Sequence, residues 1–198
     1  MTDPSLHEQF MRLHGESNEE AEEAASMLGH AAEASGDQVI AVSACLLGEK
    51  TRYDGRDAHV PDIVDPLLRR RHMRVIPLCP EILGGMGCPR DPVRFVVGDG
   101  EALLRGEPAR IEDGLGRNWT APIVLGAKRA ERLADLARAS LALLKERSPS
   151  CGSRSIHGPR GVVPGRGALA ARFMHRNLPV ASETDTSPLR FSPFCTKL

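Results

Sequence analysis

The chain is poor in aromatic side chains, which make up 4% of its 198 residues. That scarcity argues against the stacking platforms on which single-stranded nucleic acids lie. It has no excess charge of either sign, with 26 Lys and Arg against 26 Asp and Glu. Neither a nucleic-acid footprint nor a polybasic membrane anchor therefore dominates it, and no stable nucleic-acid partner is expected. No apolar run approaches membrane-span length, and the acidic N-terminal stretch does not read as a signal peptide. The expectation is a cytoplasmic protein with no membrane partner. There is no CxxC pair, no internal repeat and no low-complexity tract. The five cysteines, Cys45, Cys79, Cys88, Cys151 and Cys195, are odd in number and widely spaced. With no export signal beside them, they do not read as a disulfide framework. Reduced thiols acting as ligands, nucleophiles or buried filler remain. Nothing in the sequence fixes the oligomeric state.

Hydrophobic residues make up 41% of the chain, enough for the core of one domain. Residues 1–37 differ from the rest. Ser17-Asn-Glu-Glu20 is a capping-box signature, and Glu19 to Ala34 is rich in Ala and Glu. This reads as an acidic, solvated helical extension broken by Ser35-Gly36-Asp37, ahead of a single α/β domain over 38–198. Val39 to Val42 is a short β-branched strand running into a loop at Cys45. Arg74 to Leu78 is a second strand running straight into Cys79. Helical spacing appears over Val60 to His72 and over Gly126 to Ala139. Leu141 to Leu144 reads as a third strand ahead of Cys151, followed by a helix over Ala168 to Arg176 and a strand at Val180 to Ser182. Arg94 to Val97 and Ala109 to Ile111 suggest a hairpin turning at Gly98-Asp-Gly100, with no chemistry visible in it.

Strands alternating with helices predict an open, mainly parallel, Rossmann-like α/β sheet flanked by helices. Such sheets bind ligands at the carboxyl ends of their strands. Cys45, Cys79 and Cys151 each fall just past a predicted strand, so all three would converge on one crevice. Their spacings match no zinc pattern. Three thiolates can hold an iron–sulfur cluster, and a 4Fe–4S cubane with three protein ligands keeps one iron open as a Lewis acid for a soft sulfur atom. Small buried filler is the competing reading of the same cysteines. Glu81, two residues after Cys79, suits acid or base work if a partly dry pocket raises its pKa; it also suits a cap on the following turn. Arg52, Tyr53 and Asp54 offer hydrogen bonds to a polar ring, although Asp54-Gly55 is also an ordinary turn signal.

Four motifs in order carry a resemblance: Val42-Ser-Ala-Cys-Leu-Leu-Gly48, Arg52-Tyr-Asp-Gly55, Cys79-Pro-Glu81 with Gly84-Gly85, and Ser148-Pro-Ser-Cys-Gly152. Together, over about Val39 to Glu183, the chain resembles the thiouracil desulfurase family. The resemblance implies a non-redox enzyme in which Cys45, Cys79 and Cys151 bind a 4Fe–4S cluster. It further implies catalytic roles for Glu81 and Ser148; Arg52, Tyr53, Asp54 and Ser150 are the residues expected to bind the substrate. That substrate would be a thiolated pyrimidine, either 2-thiouracil or a 4-thiouracil or 4-thiouridine nucleotide, converted to the oxo form with release of sulfide. Thr51 and Cys88 depart from the family pattern, Cys88 reading as a spare thiol, and residues 1–37 have no counterpart in it. For a nucleotide substrate, the Gly165-Arg-Gly167 turn opening a helix would offer a phosphate site assisted by Arg160 and Arg166; solvated loop arginines are the alternative. Two other classes stay open. One is an iron–sulfur electron-transfer protein with Cys195 as fourth ligand. The other is a hydrolase with Cys151 as nucleophile and His157 as base.

Overall fold

A computed structural model describes residues 5–15 and 17–185. The order of elements is α1 (Leu6–Gly15), α2 (Asn18–Ser35), β1 (Gln38–Ser43), α3 (Pro61–Leu68), β2 (Met73–Leu78), α4 (Pro80–Leu83), β3 (Val93–Val97), α5 (Gly100–Arg105), β4 (Arg110–Asp113), α6 (Thr120–Leu136), β5 (Ala139–Leu144), β6 (Ser155–Gly158), β7 (Gly161–Pro164), α7 (Ala168–His175) and β8 (Val180–Ser182).

The main sheet has the order β2-β1-β5-β8, and every pairing in it is parallel. This is the predicted α/β architecture. Its strands are near-continuous apolar runs because both faces are covered. Side chains alternate between those faces. Val39, Ala41, Ile76, Leu78, Ala142 and Leu144 pack with α2, α6 and α7. Ile40, Val42, Val75, Leu141 and Leu143 pack with Val64 and Leu67 of α3. From β1 the chain moves outward to β2, then returns past β1 to β5 and on to β8. The strand order therefore reverses at β1 and β5, and a crevice at the carboxyl end of that junction is where such sheets place a ligand.

The N-terminal segment, expected as a solvated extension, is packed against the sheet domain. Its capping box is present: the Glu20 N–H donates to Ser17 Oγ at 3.3 Å, and the Ser17 N–H donates to the Glu20 carboxylate at 2.9 Å. Ala21, Ala25 and Ala32 of α2 and Leu13 of α1 enter the larger core cluster. Helix α1 gave no sequence signal.

Other boundaries move for local reasons. Helix α3 stops at Leu68, short of the predicted His72, which sits in a left-handed conformation (φ 64°). Helix α6 begins at Thr120, earlier than Gly126. Pro122 fits in its first turn, where a missing N–H costs nothing. The β3–β4 hairpin is antiparallel as expected, but its connection is α5 rather than a tight glycine turn. Asp99 Oδ1 caps that helix, accepting from the N–H groups of Glu101 and Ala102 at 3.0 and 3.1 Å. The β6–β7 hairpin was not anticipated. Among the described residues no helix is long and apolar enough to cross a membrane.

Candidate active site

Each cysteine of interest is set by the end of a parallel strand. After β1 the chain tightens into one 3-10 turn, Ala44–Leu47, which carries Cys45 and closes on left-handed Gly48. After β2, Cys79 is the N-cap residue of α4, with Pro80 fixing the first helical position. After β5, the chain enters a loop that carries Cys151 and is built around a buried acid, Glu146. Its Oε2 accepts from the Ser153 hydroxyl at 2.7 Å, and its Oε1 from the Ser155 N–H at 2.6 Å, the Ser155 hydroxyl at 2.9 Å and the Arg154 N–H at 3.1 Å. Burial alone would raise this carboxyl's pKa; the donors outweigh it and hold the group down to about 2.

Ser148 organises the same loop. Its Oγ accepts from the N–H groups of Ser150 and Cys151, both at 3.2 Å. Gly152 is required here, since a Cβ would lie 2.2 Å from the Ser155 carbonyl oxygen. The start of α7 then closes over the loop: the N–H of Ala168 donates to the Pro149 carbonyl at 3.0 Å and that of Leu169 to the Ser150 carbonyl at 2.8 Å. These contacts correct the idea of a phosphate site at Gly165-Arg-Gly167. The helix N-terminus is filled by the chain's own carbonyls, and the Arg166 guanidinium hydrogen-bonds Glu101.

The three strand ends face one cavity of about 620 Å³. Cys45, Cys79, Cys151, Glu81, Ser148 and Ser150 line it, as do Arg52 and Tyr53. Asp54 does not. It grips Arg52 as a fork, accepting from Nε and Nη2 at 3.1 Å each, and so holds the guanidinium 5.6 Å from the Tyr53 ring centroid.

Arg90, which no sequence pattern marked, is the partner of Glu81. Both side chains are almost fully buried, and the Arg90 Nε donates to Glu81 Oε2 at 2.8 Å. Arg90 also donates to the Thr51 carbonyl at 2.9 Å and the Gly87 carbonyl at 3.0 Å, joining three segments of the cavity wall. On its other oxygen, Glu81 accepts from Ser150 Oγ at 2.8 Å and Ser148 Oγ at 3.4 Å. A carboxylate expected in a partly dry pocket thus has a buried counter-charge on one side and two hydroxyls on the other. Cys88 lies outside this set; its Sγ donates to the carbonyls of Lys50 and Arg52 at 2.9 and 3.2 Å, bracing the Arg-Tyr-Asp-Gly loop. Arg94 and Arg147 also line the cavity and carried no sequence signal, and His157, expected as the base of a cysteine hydrolase, lines it too.

The thiols sense burial and one another. Burial pushes Cys79 up to about 11, with Glu81 adding to the shift, and pushes Cys151 up to about 12, with Cys79 adding to it. Cys45 moves the same way, from burial first and then from Cys79 and Cys151. A lone Cys151 at such a value is a poor nucleophile. Its neighbours are the hydroxyls of Ser43 and Ser150, and among the described residues no hydrogen bond joins it to His157. Cys195, the other suggested ligand, lies outside the described residues.

Among the described residues no group of three or more His, Cys, Asp or Glu side chains is arranged to hold a metal ion. A cubane cluster makes a different demand, because its thiolates sit on separate irons and share no single metal. Three free cysteines around one cavity, Cys79 and Cys151 buried and Cys45 partly buried, fit that donor set. A bound metal deprotonates such thiols outright.

Comparison with known proteins agrees with the geometry. The 2-thiouracil desulfurase family profile matches residues 40–185. The uncharacterized protein YbbK of Bacillus subtilis (strain 168) is 33% identical over 157 residues, covering 76% of this chain and 99% of YbbK. A solved structure described as the 4Fe–4S-dependent thiouracil desulfidase TudS is 31% identical, with a TM-score of 0.66, covering 80% of this chain and 99% of that one. Helices α1 and α2 precede the family match.

Proposed function

The chain belongs to the 2-thiouracil desulfurase family, and from that premise we propose that it removes sulfur from a thiolated pyrimidine, 2-thiouracil or a 4-thiouracil or 4-thiouridine nucleotide, in the cytoplasm. Water oxygen replaces the thiocarbonyl sulfur without net redox change, so C=S and H₂O give C=O and H₂S. The observation that carries this reading is the convergence of three strand-end cysteines with a hydrogen-bonded Glu81–Ser150–Ser148 set on one cavity.

Cys45, Cys79 and Cys151 would hold a 4Fe–4S cluster. When bound by three thiolates, such a cluster supplies an open iron with Lewis acidity toward a soft sulfur atom.

The chain's own residues do the rest. Arg90 fixes the Glu81 carboxylate from behind, leaving Oε1 directed at the serines. Glu81 accepts a proton from the attacking water and returns it as sulfur departs. Ser150 Oγ, 2.8 Å from that oxygen, and Ser148 Oγ, 2.9 Å from Ser150 Oγ, form the chain along which the water or the base's polar edge is positioned. Arg52, held by Asp54, and Tyr53 present a cation and a ring face to a flat heterocycle.

The test is anaerobic reconstitution followed by iron, sulfide and turnover assays. About four irons and four sulfides per chain are expected, with 2-thiouracil converted to uracil and hydrogen sulfide released. Ser150→Ala should keep the cluster and lose about 100-fold in kcat. Wild-type protein that takes up no iron, or Cys151→Ser protein that keeps both cluster and activity, overturns the reading.

A further inference from the structure

Helix α1 lies before the family match, yet it meets two of the three cysteine-bearing turns, the backbone at Cys79 and side chains at the Cys45 turn. His14, in its last turn, points its ring into the protein. Nδ1 is 2.9 Å from the Phe10 carbonyl, which only a protonated Nδ1 can serve, so Nε2 is the free acceptor. That acceptor takes the backbone N–H of Cys79 at 2.9 Å. Cys79 is the N-cap residue of α4 and its N–H has this histidine as partner, 65 residues away in sequence. The ring is locked in place by Phe10, stacked on it with centroids 4.1 Å apart and planes 26° from parallel. Phe10 in turn packs with Ala44 and Cys79, the residues at the two strand ends. At the other end of α1, Leu6 packs against the cluster that Cys45 also touches, and His7 meets Glu49, just past the Cys45 turn, at 3.1 Å.

We propose that α1 is a brace for the metal-ligand loops and that His14 is its positioning residue, fixing the Cys79 backbone so that its thiol is preset for a cluster. This inference rests on the reading of Cys45, Cys79 and Cys151 as ligands. The physical reason is preorganisation: a ligand loop held before binding loses less freedom when it binds. Groups outside the ligand set that orient the ligands affect metal retention by about 10- to 100-fold.

The experiment compares full-length wild type, His14→Leu and His14→Gln. Leu fills the space without an acceptor, whereas the Gln side-chain carbonyl can take the Cys79 N–H. One readout is the rate at which reconstituted protein loses its visible cluster absorbance to a chelator. The other is amide hydrogen exchange of the segment 77–84 in iron-free protein. The expected result is cluster loss about 10-fold faster in His14→Leu, faster exchange over 77–84 in the same variant, and values near wild type for His14→Gln. Equal behaviour of His14→Leu and wild type in both readouts overturns the brace. So does equal impairment of both variants, which would mean that only packing matters. If no protein takes up iron, the desulfurase reading fails; the exchange data then decide the brace by themselves, with the Leu variant opened and the Gln variant protected supporting it.

Discussion

Glu81 and Arg90 form the charged pair on which the cavity wall depends. Breaking a buried pair leaves an uncompensated charge, which costs about 3–5 kcal/mol. Arg90→Leu is therefore expected to lower apo-protein stability by about that amount in urea unfolding. Adding Glu81→Gln should recover part of it, because the stranded carboxylate is removed; strict additivity of the two changes would count against the pair. Glu146 makes a prediction in pH. Its folded-state pKa is held down to about 2, below its ordinary value, so its stabilisation is complete above about pH 4.5 and is lost as pH falls toward 2. Glu146→Gln should flatten that part of the stability–pH profile of the iron-free protein. An unchanged acid limb would show that the loop's anchor lies elsewhere.

At the scale of elements, the position of Glu81 is set by how closely two helices approach. A Cβ on Gly126 of α6 would sit 1.7 Å from the Pro80 carbonyl oxygen, and one on Gly84, just after α4, 2.2 Å from that of Pro122. Both glycines are needed for close approach rather than for flexibility, and neither contact leaves room to yield. Gly126→Ala should force α4 outward, with a loss of about 3 kcal/mol in unfolding free energy and a fall in kcat larger than the change in KM, since the shifted element carries Glu81. A variant with wild-type stability and kcat would remove α4 placement from the account. The loop after β5 is fixed in a similar way, between Glu146 beneath it and the N-terminus of α7 above.

For the whole molecule, the bulk of the described core is two apolar clusters on opposite faces of the sheet, with a small third one of Phe10, Ala44 and Cys79 at the strand ends. Iron removal is expected to leave a folded chain with one cooperative thermal transition and unchanged far-ultraviolet circular dichroism, unlike small domains that need metal to fold. Loss of secondary structure on chelation would contradict this. The reversal of strand order at β1 and β5 is what gathers cysteines from three separate strand ends, since successive parallel strands all deliver their carboxyl ends to one side.

Much of this was legible beforehand. The apolar runs of β1, β2 and β5, with a cysteine directly after β2, in the turn after β1 and in the loop after β5, are local patterns that burial on both faces imposes, and the capping box of α2 is a signal within four residues. Parallel strands delivering their ends to one side made convergence of the cysteines predictable. The Arg90–Glu81 pair, the Glu146 anchor, the α7 amides on the Cys151 loop and the His14 contact to Cys79 were not legible. Each depends on donors and acceptors brought together by the folded chain, with no periodicity in sequence to mark them. The sequence by itself determined the strands of the parallel sheet and the presence of three thiols past strand ends, because these follow from local spacing and burial. Only the tertiary structure decided which charges meet, which amides are used and which helix backs the thiols, because hydrogen bonds between distant segments exist only once the sheet has placed them within 3 Å or so of one another.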